Sequence, residues 1–115
     1  MIRITFVVKD GKYVSFESDG HAYYDEIGYD IVCAAVSALT ITAVNALEAV
    51  AKITPIVDMG DGDGYLYCGL PEDLSDEQWL KSGVIFETVI VGLKDIENTY
   101  SDHIHILYEE VTKDD

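Results

Sequence analysis

One stretch constrains this chain more than any other. Residues 31–51 are apolar almost throughout, broken only by Ser37, Thr40, Thr42, Asn45 and Glu48. Asp30 stands directly before them, and its carboxylate suits the open amides of a helix start. The spacing predicts a helix from Ile31 to about Lys52, apolar over most of its circumference. Such a helix needs cover on more than one side. A sheet supplies one side and a second subunit can supply another. Hydropathy alone would admit a membrane span. The Ala, Ser and Thr content and the polar interruptions favour a buried helix of a soluble domain.

The flanks decide the fold class. Residues 2–9 alternate and are rich in β-branched side chains, Asp10-Gly11 is a hairpin turn, and residues 13–18 read as the return strand. Asp19-Gly20 stops that strand, and residues 20–29, with Gly20, Tyr23, Tyr24, Gly28 and Tyr29, read as a loop. After Thr54-Pro55, residues 56–59 and 65–70 form a second hairpin around a Gly/Asp turn at 60–64. Ser75-Asp76-Glu77-Gln78 is a capping box that opens a second helix to about Tyr100. Gly83 and Gly92 each weaken that helix by up to ~1 kcal/mol relative to Ala, and close packing against a neighbour is a reason to keep them. Residues 103–108 read as a last strand and 109–115 as a charged, frayed tail. The order ββαββαβ predicts an α+β fold, a two-layer α/β sandwich with a mixed sheet and two long helices. Residues 1–115 make one domain.

Charge narrows the partners. Seven Lys+Arg against 22 Asp+Glu give a net charge of −15 over 115 residues. Nucleic-acid binding needs clustered basic residues, and anionic membrane surfaces are disfavoured for the same reason. A basic protein partner is attracted and steered. Two cysteines, Cys33 and Cys68, make no disulfide framework. The N-terminal residues read as a strand and not as a signal peptide, so the expectation is a cytoplasmic protein with both thiols reduced.

The chemistry concentrates in residues 19–37. With Asp30 as cap, Cys33 falls in the first turn of the helix, where open amides and the helix dipole favour a thiolate. His21 follows the end of the second strand. Strand end and helix start lie at the same sheet edge, so the imidazole can approach the thiol. First-turn amides, that of Cys33 included, are candidates for an oxyanion site. Ser37 lies one turn on from Cys33, on the same face. Asp30 has two possible jobs, capping the helix or orienting the imidazole as a triad acid does; capping needs no further assumption. On residue types alone, a thiol in an Ala-rich helix also reads as a small buried hydrophobe.

Gly20-His21-Ala22, an acidic and aromatic loop, and then Asp30-Ile31-Val32-Cys33-Ala34-Ala35-Val36-Ser37-Ala38-Leu39 resemble the ribosomal-processing cysteine proteases called Prp. The resemblance continues through Thr42, Asn45, Leu47 and Glu48, Gly64-Tyr65-Leu66, Leu70-Pro71, and Gly92-Leu93 with Ile96-Glu97, covering nearly the whole chain. It implies a bacterial, cytoplasmic, homodimeric protease that needs no cofactor or metal. It implies removal of a short N-terminal extension from a basic large-subunit ribosomal protein, number twenty-seven, after an aromatic-rich segment and before a small residue. On this resemblance His21 is the catalytic histidine and Cys33 the nucleophile, with Gly20, Asp30 and Ser37 as supporting motif positions. One departure stands in the substrate loop. The family often has Gly after His-Ala, whereas Tyr23 and Tyr24 follow Ala22 here. That implies a loop that opens less easily and offers aromatic contacts to an apolar substrate.

Other constellations fail. Asp61, Asp63 and Glu72 mimic calcium-loop offsets, but Leu66 replaces the required Gly. His103 and His105 share one face of the last strand and, with Cys68, make only a thin metal motif. A thiol redox role lacks a C-x-x-C pair. The remaining alternative is a non-catalytic acidic module that binds a basic ribosomal protein.

Overall fold

The computed structural model describes residues 1–26, 29–61 and 64–112. Gly28 of the loop, Asp63 of the acidic turn and residues 113–115 of the tail lie outside the described residues.

Five strands and two helices follow one another as β1 (Ile2–Lys9), β2 (Lys12–Asp19), α1 (Ile31–Ala49), β3 (Ile56–Asp58), β4 (Tyr65–Gly69), α2 (Asp76–Thr99) and β5 (Ile104–Val111). The sheet order is β3-β4-β2-β1-β5. β1 pairs antiparallel with β2 and parallel with β5, so the sheet is mixed, as expected. Period-two alternation along β1 sends Ile2, Ile4 and Phe6 into the core. Phe6 meets Phe16 of β2 and Phe86 of α2 with ring centroids 5.7 and 6.3 Å apart. α1 and α2 pack on each other in the layer that covers this face.

Both helix starts are as expected. Asp30 caps α1, and Ser75 with Gln78 forms the reciprocal capping box of α2. Gly92 gives α1 its seat, because a Cβ there would come within 3.0 Å of Leu39 Cδ1. Gly83 has no such reason, since a Cβ there would meet nothing within 4 Å.

Three expectations shift. α1 stops at Ala49, short of Lys52. Lys52 takes a left-handed φ of 59°, and the Ile53 amide turns back to the Leu47 carbonyl. The supposed tail from Glu109 joins β5 up to Val111, where Val7, Val8 and Lys9 pair with Glu109, Glu110 and Val111. The cover on α1 is also thinner than its composition asks. Val32, Val36, Thr40, Ala43 and Leu47 are buried on one face, while Ile31 and Ile41 stay exposed on the rest, as does Val50 just past its end. This helix is long and apolar enough to cross a membrane by length and composition, yet that stripe lies in the domain core.

Candidate active site

The end of β2, the start of β4 and the start of α1 meet at one edge of the sheet. Asp19 is in register with Tyr65, and the Gly20 N–H donates to the Gly64 carbonyl at 2.8 Å. Two glycines permit this closure. Gly20 has φ +101°, and a Cβ there would collide with the Met1 carbonyl oxygen. Gly64 has φ +70°, and a Cβ there would lie 2.8 Å from His21 Nε2 and 3.1 Å from the Gly20 oxygen. Gly64 therefore makes the seat on which the imidazole rests.

A cavity of about 270 Å³ opens here. His21, Cys33 and Ser37 line it with Gly20, so the structure brings these four sequence candidates together. Ile41, Met59 and Tyr65 supply apolar and aromatic walls that the sequence reading missed. Their signal was present: Ile41 follows Cys33 and Ser37 at helical spacing, and Tyr65 follows Gly64. The Tyr65 hydroxyl donates to Glu17 Oε2 at 2.9 Å, and that bond pushes its pKa up to about 12. Tyr65 is thus a neutral wall at physiological pH, not a proton carrier.

Asp30 works as a cap and as a tether. Its Oδ1 accepts the N–H groups of Val32 and Cys33, each at 3.0 Å. Its Oδ2 accepts those of Tyr24 at 3.0 Å and Asp25 at 3.3 Å. Desolvation is the largest single influence and works upward on this carboxyl, but the amides of Cys33, Asp25 and Tyr24, with the Cys33 side chain, together outweigh it and hold the pKa below the ordinary value. Three of the first-turn amides expected to hold an oxyanion therefore have partners already. The Val32 and Cys33 amides are spent on the carboxylate, and Ala34 N–H donates to the Asp30 carbonyl at 3.1 Å.

The expectation of a depressed thiol pKa is overturned as well. Burial pushes Cys33 up, the Ala22 N–H facing Sγ at 3.4 Å pulls it partly back, and the Asp30 charge adds to the rise. Burial first, and then the negative charge beside the sulfur, work against the thiolate that a helix end favours. Cys33 rests as a thiol, half-buried at the cavity wall. A thiol in that state can attack a carbonyl only with a base to take its proton.

Of the loop residues, Ala22 is 1% exposed and turns its peptide group, not its side chain, toward the site. Tyr23 is 75% exposed and sits at φ 54°, a left-handed position that favours glycine. Its ring lies 5.9 Å from that of His21. Tyr24 turns the other way, edge-on to Tyr100 and His103 with centroids 5.3 Å apart in both cases. Neither tyrosine belongs to the described cavity wall.

The other candidates separate. His103 precedes β5 and places Nδ1 2.8 Å from the Ala22 carbonyl oxygen, while His105 lies 3.2 Å from Glu97. They are not the paired strand histidines that the sequence suggested. Among the described residues no group of three or more His, Cys, Asp or Glu side chains could hold a metal ion. Leu66 of the calcium mimic is a core residue of β4.

Comparison with known proteins adds the family context. The family model for cysteine protease Prp matches residues 1–105. The ribosomal processing cysteine protease Prp of Bacillus subtilis is 41% identical over 93 residues, 81% of this chain and 83% of that protein. Its Staphylococcus aureus counterpart is 34% identical over 110 residues, 95% of this chain and 100% of the relative. The crystal structure of the S. aureus protease with a covalently linked product peptide superposes with a TM-score of 0.84 at 33% identity, covering 95% of this chain and 100% of that one. The same protease with a substrate peptide gives a TM-score of 0.79 at 31% identity, with the same coverage.

Proposed function

The chain belongs to the Prp family of cysteine proteases, and from that premise we propose that it removes a short N-terminal extension from large-subunit ribosomal protein number twenty-seven, with Cys33 as nucleophile and His21 as base. The single observation that carries the reading is the cavity that Cys33 and His21 both line, in which Sγ already receives an amide hydrogen bond. The non-catalytic acidic module gives way to the family's activity as a cysteine protease.

The chemistry follows from a thiol that rests protonated. His21 takes the Cys33 proton as Sγ closes on the peptide carbonyl carbon. The tetrahedral adduct collapses, the C–N bond breaks, and the imidazolium returns the proton to the leaving amine. Water, deprotonated by His21, then cleaves the thioester and restores the thiol. Ile41 and Met59, on the cavity wall, offer apolar contact to the side chains beside the cut. The net charge of −15 draws a basic ribosomal protein toward the site. A location in the bacterial cytoplasm, where ribosomes assemble, is part of the same proposal. A homodimer would cover apolar side chains that stay exposed on α1 away from the cavity, such as Ile31. Sedimentation as a dimer at micromolar concentration supports that part of the reading, and a monomer refutes it.

The direct test is cleavage of a peptide that carries the extended N-terminus of the host's ribosomal protein. The wild type is expected to cut it at one bond, and Cys33→Ala and His21→Ala to leave it intact. An uncut peptide with wild type, or cutting by Cys33→Ala, would refute the proposal.

A further inference from the structure

A second cluster stands behind the cavity, built from residues far apart in sequence. The buried Ala22 peptide is held on both sides. Its N–H faces Cys33 Sγ at 3.4 Å, and its carbonyl oxygen lies 2.8 Å from His103 Nδ1. A carbonyl oxygen only accepts, so the ring nitrogen facing it carries the proton. The backbone of His103 is fixed in turn. Its N–H donates to the Tyr100 carbonyl at 2.8 Å, and its own carbonyl accepts the Ile2 N–H at 2.9 Å. The imidazole thus stands where the end of α2, the start of β5 and the start of β1 meet. The Tyr24 ring closes it from the loop side, 5.3 Å from both His103 and Tyr100.

This matters because three of the first-turn amides of α1 are occupied. Those of Val32 and Cys33 bond to the Asp30 carboxylate, and that of Ala34 to its carbonyl. The Ala22 amide is aimed at the reacting sulfur. We infer that His103 is a positioning residue, which fixes the Ala22 peptide so that its N–H meets the negative charge that forms at Cys33 and then on the substrate carbonyl oxygen. The inference rests on the Cys33–His21 reading and deepens it. As the Sγ–C bond forms, the carbonyl π pair moves onto oxygen and the thiol proton passes to His21. The new oxyanion lies next to the sulfur, so a small shift brings it to the same donor.

Loss of one oxyanion donor costs on the order of 10²–10³ in kcat. His103 acts through Ala22, so its effect is smaller. In steady-state cleavage, His103→Leu is expected to lower kcat by about 10- to 100-fold with KM nearly unchanged. His103→Asn keeps an N–H donor near the Nδ1 position and is expected to recover most of the lost kcat. A merely structural role would not give that recovery. Cys33→Ala runs alongside. If it is inactive while His103→Leu matches wild type, the positioning role is overturned and the dyad stands. If Cys33→Ala still cuts, the dyad falls and this inference with it. Should His103→Leu fail to fold, the wild-type ring decides. Nitrogen-15 NMR of the imidazoles is expected to show a protonated Nδ1 on His103, and an unprotonated Nδ1 overturns the inference.

Discussion

Cys33 and Cys68 are the same side chain in two settings, and neither setting makes an acidic thiol. Cys68, in β4, is fully buried, and burial pushes its pKa up to about 11. Cys33 is also raised, by burial and by the Asp30 charge. What separates them is access and company. Cys33 borders the cavity, shares it with His21 and accepts the Ala22 N–H, whereas Cys68 is sealed among apolar side chains. On the proposed mechanism, reactivity comes from a base and a donor placed around an ordinary thiol, not from a standing thiolate.

The largest expected effect breaks the pair apart. Cys33→Ala is expected to lower cleavage by at least about 10³-fold, as removal of a nucleophile does. Cys68→Ala is expected to leave cleavage within about twofold and to lower stability by about 1 kcal/mol for the small void it leaves. Cleavage and urea melts of the two variants read both numbers. Equal loss of activity in both would erase the distinction.

A smaller effect sharpens the role of company. Gly64→Ala adds a Cβ 2.8 Å from His21 Nε2 at φ +70°. Displacing the base is expected to cost about 10²-fold in kcat, with about 1 kcal/mol of stability lost to backbone strain. Unchanged kcat would mean that the imidazole does not need this seat.

The next step concerns Asp30. Asp30→Ala removes the cap and the loop tether and is expected to cost about 1 kcal/mol. Asp30→Asn keeps an acceptor and removes the charge, so the Cys33 pKa is expected to fall toward the ordinary thiol value. In wild type the Asp30 carboxyl lies below its unfolded value. Its contribution is therefore complete above about pH 4, the usual unfolded carboxyl pKa, and is lost as pH falls through the lower folded value. Thiol titration and acid melts of the two variants check both signs.

The main elements were legible because each carried a local cause. Asp30 and Ser75 marked both helix starts, Asp10-Gly11 marked the first hairpin, and alternation marked β1 and β4. The edge shared by His21 and Cys33 followed from connectivity alone. The failures are non-local. Glu109 and Glu110 look like a tail, but they extend an edge strand whose partner β1 is a hundred residues away in sequence. The depressed thiol failed because burial of Cys33 raises its pKa, and the same Asp30 that starts the helix adds a negative charge to its first turn. His103 reaches Ala22 across 81 positions, and nothing in its own sequence neighbourhood points there.

The most direct test of an ordinary thiol activated by its neighbours is the pH profile of alkylation. Wild type and His21→Ala would be treated with iodoacetamide at a series of pH values, and the label placed by peptide mass mapping. The expected label is on Cys33 and not on Cys68, with a rate still rising at about pH 8.5, where a free thiol titrates. A rate that levels off near neutral pH in wild type and not in His21→Ala would reveal a preformed thiolate–imidazolium pair and contradict the account, as would labelling of Cys68 in the folded protein.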